Sequence, residues 1–457
     1  MASLSRDFVR LALDVPVAAD VVAAAVAPLE DLLVSSLMAA GEAPVGRLLS
    51  WGRAEGGSGG WVVGHPGVEL SPGRSALANG FQAHLLDVDD VSDPVRGHPS
   101  AVILPALFAV APAAASGDDV LAAYVVGLEA MARLARTLPT GHYRRGWHQT
   151  GTVGALAATV AAARLTGTDA DTAVRALAMA AQSSAALRVQ FGTEAKPLAA
   201  GLAAQAAVDA LAWARLGLTA ADDVLGGPSG FLAVHDADPD RARTTLLDDF
   251  GRRWSLVADG LWVKTGPFCS AGIAPVQAAQ QLAGTVGGRP AGDIVRVVLR
   301  MRPGADDALI HRHPRTGEEG RFSAEYLVAL GLLGLPLDLT TLGGGPADPA
   351  AARLAERVSR EHVPPAEEPP RGVRDRWSRV LVQFSDGDTA LGRVDVPEGA
   401  PGRPLTVAAR AAKRSAAAGV RADELRAAIA GSLGRPWSDT VRVLRTYRPP
   451  EPLLPAP

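Results

Sequence analysis

The stretch His84–Ser100, HLLDVDDVSDPVRGHPS, most constrains how this chain can fold. Its seventeen residues include four carboxylates (Asp87, Asp89, Asp90 and Asp93), Arg96, and two histidines, His84 and His98. Apolar, alanine-rich sequence flanks it, SALANGF before and AVILPALFAVAPAAA after. Burying a charge costs several kcal/mol unless it is paired. A dense charged segment between two apolar helical runs is therefore either a solvated helix-to-helix loop or the lining of a polar site. The stretch alone leaves both readings open.

The flanking pattern is helical. Residues 16–40 have helical composition, with Pro28 marking a break or a new start. Glu55–Gly60, EGGSGG, is a flexible loop. Helices are expected over 72–90, over 99–115 with Pro105 and Pro112 breaking it up, and over 117–138. ALAATVAAARL, after Gly154, is a helix of small residues suited to close packing. TDAD (Thr168–Asp171) and TAAD (Thr219–Asp222) resemble capping boxes, and Gly167 and Gly217 stop the preceding helices. Residues 16–250 thus read as almost wholly helical.

After about residue 265 the period changes. In Asp293–Pro303, Val295, Val297, Leu299 and Met301 alternate with Arg296, Arg300 and Arg302, which is strand period. Ser378–Pro397 reads as strand, Asp386-Gly387 turn, strand. A helix over Ser323–Leu333 and a Pro-rich segment around 363–370 lie between, and Arg421–Leu433 returns to helix. The expected fold is mainly α: a large all-helical domain from both chain ends, 1–265 rejoined by 405–457, with a smaller inserted α+β domain over 266–404.

Composition narrows the function classes. A net charge of −3 gives no general pull toward nucleic acid or anionic membrane. No run approaches the roughly 20 apolar residues of a membrane span, and MASLSRDFVR lacks a signal peptide's pattern. The single cysteine, Cys269, rules out an intramolecular disulfide and a cysteine-based zinc site. A reducing, cytoplasmic setting fits. No phosphate loop, HExxH or nucleophile elbow occurs. His311-Arg-His313 has no nearby third ligand and reads as an exposed loop, so no metal site is expected.

Lysine usage adds a pointer. Of 45 basic residues only Lys196, Lys264 and Lys413 are lysine, as a GC-rich coding bias would leave them. Lysine should then persist where a compact, titratable cation is needed. Lys196 and Lys264 sit beside apolar sequence and point to function, while Lys413, in the polar ARAAKRSAAAG, reads as chance survival.

Asp87, His98, His148, Lys196, Lys264 and Tyr326 each occupy a polar interruption of apolar sequence. His148 comes from GHYRRGWHQTGTVG, Gly141–Gly154. Such a set suits a small anionic substrate. Lysines and arginines, Arg96 among them, would hold carboxylates, while His, Tyr or Asp moves a proton at the adjacent carbon and clustered cations stabilise the enediolate-like charge. His98 and His148 titrate near pH 7.

These motifs resemble the MmgE/PrpD family, which contains 2-methylcitrate dehydratase, cis-aconitate decarboxylase and an epimerase of iminodisuccinate. The matching stretches are ANGFQAHLLDVDD with HPSAVILPAL, GWHQTGTVGALAA, FGTEAKPLAAGLAA, GFLAV at 230–234, KTGPFC, and RFSAEYLVALGLL. The resemblance implies that Asp87 and His98 match the active-site aspartate and histidine of the first motif. It implies that His148, Lys196, Lys264 and Tyr326 match the HPTGT, KPLH, KPYPC and FS-x-x-Y residues. It further implies a helical domain with an α+β lid, a homodimer, and no cofactor.

The chain departs from that family pattern at Val91, Ala199, Gly266 and Ile273, and one extra residue separates Asp87 from His98. Each of the four replacements removes polarity or bulk. The expected substrate has fewer carboxylates or a larger apolar part, as in specialised metabolism, with 2-methylcitrate and cis-aconitate turned over poorly. The leading expectation is a cofactor-independent lyase of dehydratase type. Decarboxylation and epimerisation require the same apparatus. A non-catalytic, ligand-binding family member is the rival from another class, and a metal-dependent hydrolase is weak for want of ligand spacing.

Overall fold

The computed structural model describes residues 3–363, 376–418 and 422–447. All but Val363 of the Pro-rich segment, and Arg421, lie outside them. The chain divides into two compact units: Met1–Leu187 with Pro197–Leu261 and Val407–Pro457, and Arg188–Lys196 with Trp262–Thr406. It is mainly α-helical, with one four-stranded sheet in the second unit.

The first unit is helical because its sequence repeatedly supplies starts, apolar faces and stops. Ser116 and Asp119 cap Gly117–Thr137 reciprocally, saving two N–H groups from going unpaired. Asp169, rather than Thr168, caps Ala170–Ala180 by accepting from the Thr172 N–H. No helix starts at Thr219. The neighbouring Asp223 instead accepts from the backbone of Leu4 and Ser5, at the start of the first helix, Leu4–Asp14. Helices Ser100–Val110, Gly117–Thr137 and Gly154–Leu165 form the centre, where Ala157, Ala158, Ala161 and Ala162 are wholly buried.

Pro28 marks the new helix start expected of it, whereas Pro105 does not break its helix as expected. Pro28 lies in the first turn of Val26–Ala39, where a missing N–H costs nothing. Pro105 sits inside Ser100–Val110 without ending it. Two helical stretches, Ala19–Ala39 and Ala195–Arg215, are long and apolar enough to cross a membrane, which corrects the reading that no such run exists. Most of each stretch is buried, as in a core helix.

The chain's end returns to this unit. Trp61, Phe108 and Trp437 stack in sequence, with ring centroids 5.5 and 5.6 Å apart. They join the two-residue strands β1 (Gly60–Trp61) and β2 (Glu69–Leu70), the central helix Ser100–Val110, and the C-terminal helix Trp437–Thr446.

In the second unit β3 (Ile294–Met301) pairs parallel to β4 (Val358–His362) and antiparallel to β5 (Ser378–Phe384). β5 pairs antiparallel to β6 (Thr389–Val394) through the Gly387 turn. Helices Ile273–Gln280 and Ala324–Leu333 pack in the same unit. β3 does not keep the simple alternation expected of it. A register shift between Ile294 and Arg296 turns Val295 outward and leaves Val297, Val298 and Leu299 buried.

Candidate functional site

The helix Pro72–Leu85 ends at the charged stretch, earlier than the sequence suggested, and Ser100 starts the next helix. The connection is not a solvated loop, because His84, Asp87, Asp89, Asp90 and His98 are all buried. Asp87 and Arg96 take left-handed backbone, with φ of 55° and 50°. Ser92 donates its N–H to the Gly97 carbonyl at 3.0 Å, closing a small loop that returns His98 to the acidic end.

Asp89 is the hub. His84 Nδ1 lies 3.0 and 3.1 Å from its two oxygens, and His98 Nδ1 lies 3.0 Å from Oδ2. Burial alone would raise the Asp89 carboxyl, but the two imidazoles outweigh it and hold the group well below the usual carboxylate range. Asp87 Oδ1 lies 3.7 Å from His98 Nε2. The His84 and His98 rings are 4.0 Å apart, and His148 lies 6.4 Å beyond His98.

His148 comes from the second motif. Its N–H donates to the Ala186 carbonyl at 2.9 Å, and its Nε2 lies 2.9 Å from Thr150 Oγ1. That hydroxyl also accepts the His98 N–H at 3.1 Å, so one threonine ties the motifs together. Gly97 permits the approach: a Cβ there would fall 2.5 Å from Thr150 Oγ1. Arg96 is half-buried, its guanidinium 5.0 Å from the Tyr143 ring.

Asp90 has the opposite character to Asp89. Burial, then the nearby Asp31 carboxylate, pushes it well above the usual range despite the hydrogen bond from Ser100 Oγ. Ser100 Oγ in turn lies 2.7 Å from the Tyr124 hydroxyl. Lys413, read from the sequence as a chance survival, has two partners in the structure. Its ammonium donates to Asp31 Oδ1 at 2.6 Å and to the Val88 carbonyl at 2.8 Å.

Lys196, Lys264 and Tyr326 belong to the second unit and are buried there. The Lys196 ammonium lies 5.6 Å from the Phe191 ring and 5.3 Å from that of Phe322, within reach of cation–π attraction. The Tyr326 hydroxyl donates to the Thr341 carbonyl at 3.3 Å and accepts the Asp348 N–H at 2.8 Å. Burial, chiefly, raises its pKa.

The structure thus brings Asp87, His98 and His148 together and adds His84, Asp89 and Thr150, to which the sequence reading gave no role. Their signal was present in HLLDVDD and HQTGT, but without a register no residue in those runs stands out. His84, Asp87, Asp89 and His98 each present one ligand atom, all within 4.8 Å of one another, a spacing one cation could bridge. In this structure Asp89 already occupies both Nδ1 atoms.

A mainly helical chain carrying a buried histidine–carboxylate cluster at the connection between helices Pro72–Leu85 and Ser100–Val110 defines a candidate proton-transfer protein. Residues 9–243 match the MmgE/PrpD N-terminal domain and residues 267–432 the MmgE/PrpD C-terminal domain. The chain belongs to the MmgE/PrpD family. It is 29% identical over 363 residues to a protein of Mus musculus named cis-aconitate decarboxylase, covering 76% of this chain and 71% of that one. The Homo sapiens protein of that name is 28% identical over 357 residues, covering 76% and 72%. An Aspergillus oryzae cis-aconitate decarboxylase-like protein is 24% identical over 361 residues, covering 74% of each.

Proposed function

We propose that this protein is a lyase that moves a proton at the carbon next to a carboxylate of a small carboxylated substrate. The observation that carries this reading is Asp89, held well below the usual carboxylate range between two imidazoles. An ionised carboxylate only accepts hydrogen bonds. Both Nδ1 atoms facing it therefore carry hydrogen, which makes Nε2 the proton-transferring atom of His98. The Asp87 carboxylate, 3.7 Å from that nitrogen, steadies the imidazolium once the proton has arrived.

His148 is the second acid/base group, oriented by Thr150. Lys196, Lys264 and Arg96 bind the substrate's carboxylates. Tyr326, whose raised pKa keeps it protonated, is a further proton donor. Loss of water and loss of carbon dioxide both require a held carboxylate, a stabilised carbanion and a proton delivered to carbon. The activity named for the mouse and human relatives makes carbon dioxide the leaving group to test first. Return of the proton to the other face would give an epimerase.

The departures from the family pattern bear on the substrate. Val91 and Ile273 are buried apolar groups, and a Cβ at Gly266 would fall 2.6 Å from the Phe268 ring. These features support a substrate with fewer carboxylates or a larger apolar part than 2-methylcitrate or cis-aconitate.

The test is NMR in heavy water on a panel of mono-, di- and tricarboxylates, with wild type, His98→Ala, His148→Ala and Lys196→Ala. The expected result is deuterium exchange or conversion by the wild type that the variants lose. Released carbon dioxide marks a decarboxylase, a new C=C absorbance a dehydratase, and exchange into recovered substrate an epimerase. Tight binding without exchange or conversion would replace this reading with a ligand-binding role. Activity abolished by a chelator and restored by a divalent cation would replace it with metal-assisted chemistry.

A further inference from the structure

Lys413 is the one lysine of three for which the sequence offers no use, yet the structure gives it two charge-assisted bonds in the helical unit. It sits on helix Val407–Ala418, contributed by the chain's C-terminal part. Its ammonium reaches Asp31 Oδ1 on helix Val26–Ala39 at 2.6 Å and the Val88 carbonyl at 2.8 Å. The lysine side chain is 14% exposed and that of Asp31 8%.

Val88 is the single residue between Asp87 and Asp89. A peptide group is planar and turns as a unit. Holding the Val88 carbonyl therefore fixes the backbone from which the Asp89 side chain departs. Asp87, on the other side, is in left-handed backbone at φ 55°, a conformation that an aspartate keeps only when its surroundings hold it there. Asp89 meets the two imidazoles at 3.0–3.1 Å, so a small rotation of this peptide would break the geometry that sets their tautomers.

The residue type fits the task. An ammonium is compact and can direct separate N–H bonds to a carboxylate and a carbonyl from one point, whereas a guanidinium is a bulkier planar fork with its donors fixed in one plane. The neighbouring positions carry arginine: Arg410 acts on Asp31 from a distance, and Arg414 pairs with Glu30. The position that touches Val88 is one of only three lysines among 45 basic residues.

We propose that Lys413 is a positioning residue: through the Val88 carbonyl and Asp31 it sets the backbone of the Asp87–Asp89 turn, and so the tautomer and placement of His98. The proposal rests on the reading of Asp87, Asp89 and His98 as the proton-transfer site.

The experiment uses the full chain with 15N-labelled histidine and compares wild type, Lys413→Met, Asp31→Asn/Lys413→Met and Lys413→Arg. The His84 and His98 signals are assigned with His84→Gln and His98→Gln. Long-range 1H–15N spectra report which ring nitrogen carries hydrogen, and steady-state kinetics are run on any carboxylate the wild type converts. In the double variant no buried charge is stranded, so its urea midpoint should stay near that of the wild type. Its His98 signals should nonetheless move from a single Nδ1–H tautomer to a mixture, with kcat down about 10–100-fold, the effect of misplacing a catalytic group. KM should stay within about threefold, because binding groups are untouched. Lys413→Arg keeps the charge opposite Asp31 and should show the same spectral shift in a stable protein. It also carries the test should the double variant fail to fold.

Wild-type His84 and His98 signals in both the double variant and Lys413→Arg would overturn the proposal. A wild type that converts no carboxylate, with shifted signals in the variants, would remove the proposed function and leave the positioning role standing.

Discussion

Each unit buries a carboxylate between two nitrogen-bearing side chains, and the chemistry of those side chains separates them. In the helical unit Asp89 lies between the imidazoles of His84 and His98. In the second unit Glu325 lies between Arg312 and Arg360. Arg360 also reaches Asp306 at 2.9 Å, which His362 contacts from the other side. A guanidinium is charged at every accessible pH, so the Glu325 cluster is a fixed clasp between helix Ala324–Leu333 and strand β4. An imidazole can gain and lose a proton near neutrality, so the Asp89 cluster can do chemistry. Two similarly buried carboxylates thus serve different ends.

The sharpest way to break this contrast is Asp89→Asn. Asparagine keeps the shape but can donate from its amide, which permits the wrong tautomer at His98. The expected loss is about 10⁴-fold in kcat, by analogy with other histidines deprived of their orienting aspartate, measured on whichever carboxylate the wild type converts. A loss below tenfold would put Asp89 in the same class as Glu325. The counterpart is Arg360→Met, which leaves buried Glu325 with only the more exposed Arg312 and Asp306 with only His362. Breaking a buried pair from one side costs about 3–5 kcal/mol. That loss should appear as an earlier urea transition of the second unit, read by hydrogen exchange on β3 and β4.

The two clusters were unequally legible in the sequence. The charged run His84–Ser100 announced itself by contrast with its neighbours, and the family motifs within it marked Asp87 and His98. His84 and Asp89 stayed hidden because their roles depend on the left-handed turn at Asp87, which no local pattern encodes. Lys413 stayed hidden for a different reason: its partners Asp31 and Val88 are more than 300 positions away, and its immediate context is polar. Helix centres and three of the four strands of the sheet followed from hydrophobic period. Helix ends and the register of β3 did not, because a bulge and a distant cap, Asp223 on Leu4 and Ser5, decide them.

Adjacent carboxylates sharpen the comparison further. Asp90 is raised where Asp89 is lowered, so their contributions to stability have opposite sign. The folded protein holds a proton on Asp90 that the unfolded chain releases above about pH 4. Stability from this group is therefore lost as pH rises toward its folded pKa. Asp89 contributes stability above about pH 4 that disappears as pH falls through its folded value. At pH 7, Asp90→Asn should leave the urea midpoint of the helical unit unchanged or raised, and Asp89→Asn should lower it. A lowered midpoint for both would mean that Asp90 is ionised and serves as a second anion for the histidines.

The smallest effect concerns an imidazole that has no carboxylate. His142 is fully buried, stacked on Trp147 at 5.7 Å with its ring 4.9 Å from that of His235. Neither of its ring nitrogens has a hydrogen-bond partner among the described residues. Burial, with His235 and Arg145 nearby, lowers its pKa from 6.5 to about 4. The unfolded chain thus takes up a proton at a pH where the folded protein refuses it. The stability His142 contributes is complete above pH 6.5 and is lost as pH falls toward 4. His142→Phe keeps the stack and removes the titration, so its urea midpoint should fall less between pH 7 and pH 4.5 than that of the wild type. Equal falls would assign the acid sensitivity to His235, whose pKa is lowered for the same reason. A His142→Phe/His235→Phe double variant would then carry the difference. Either way these histidines respond to pH by destabilising the fold, whereas His84 and His98 face an anion that can hold their charge, and only the latter arrangement suits repeated proton transfer.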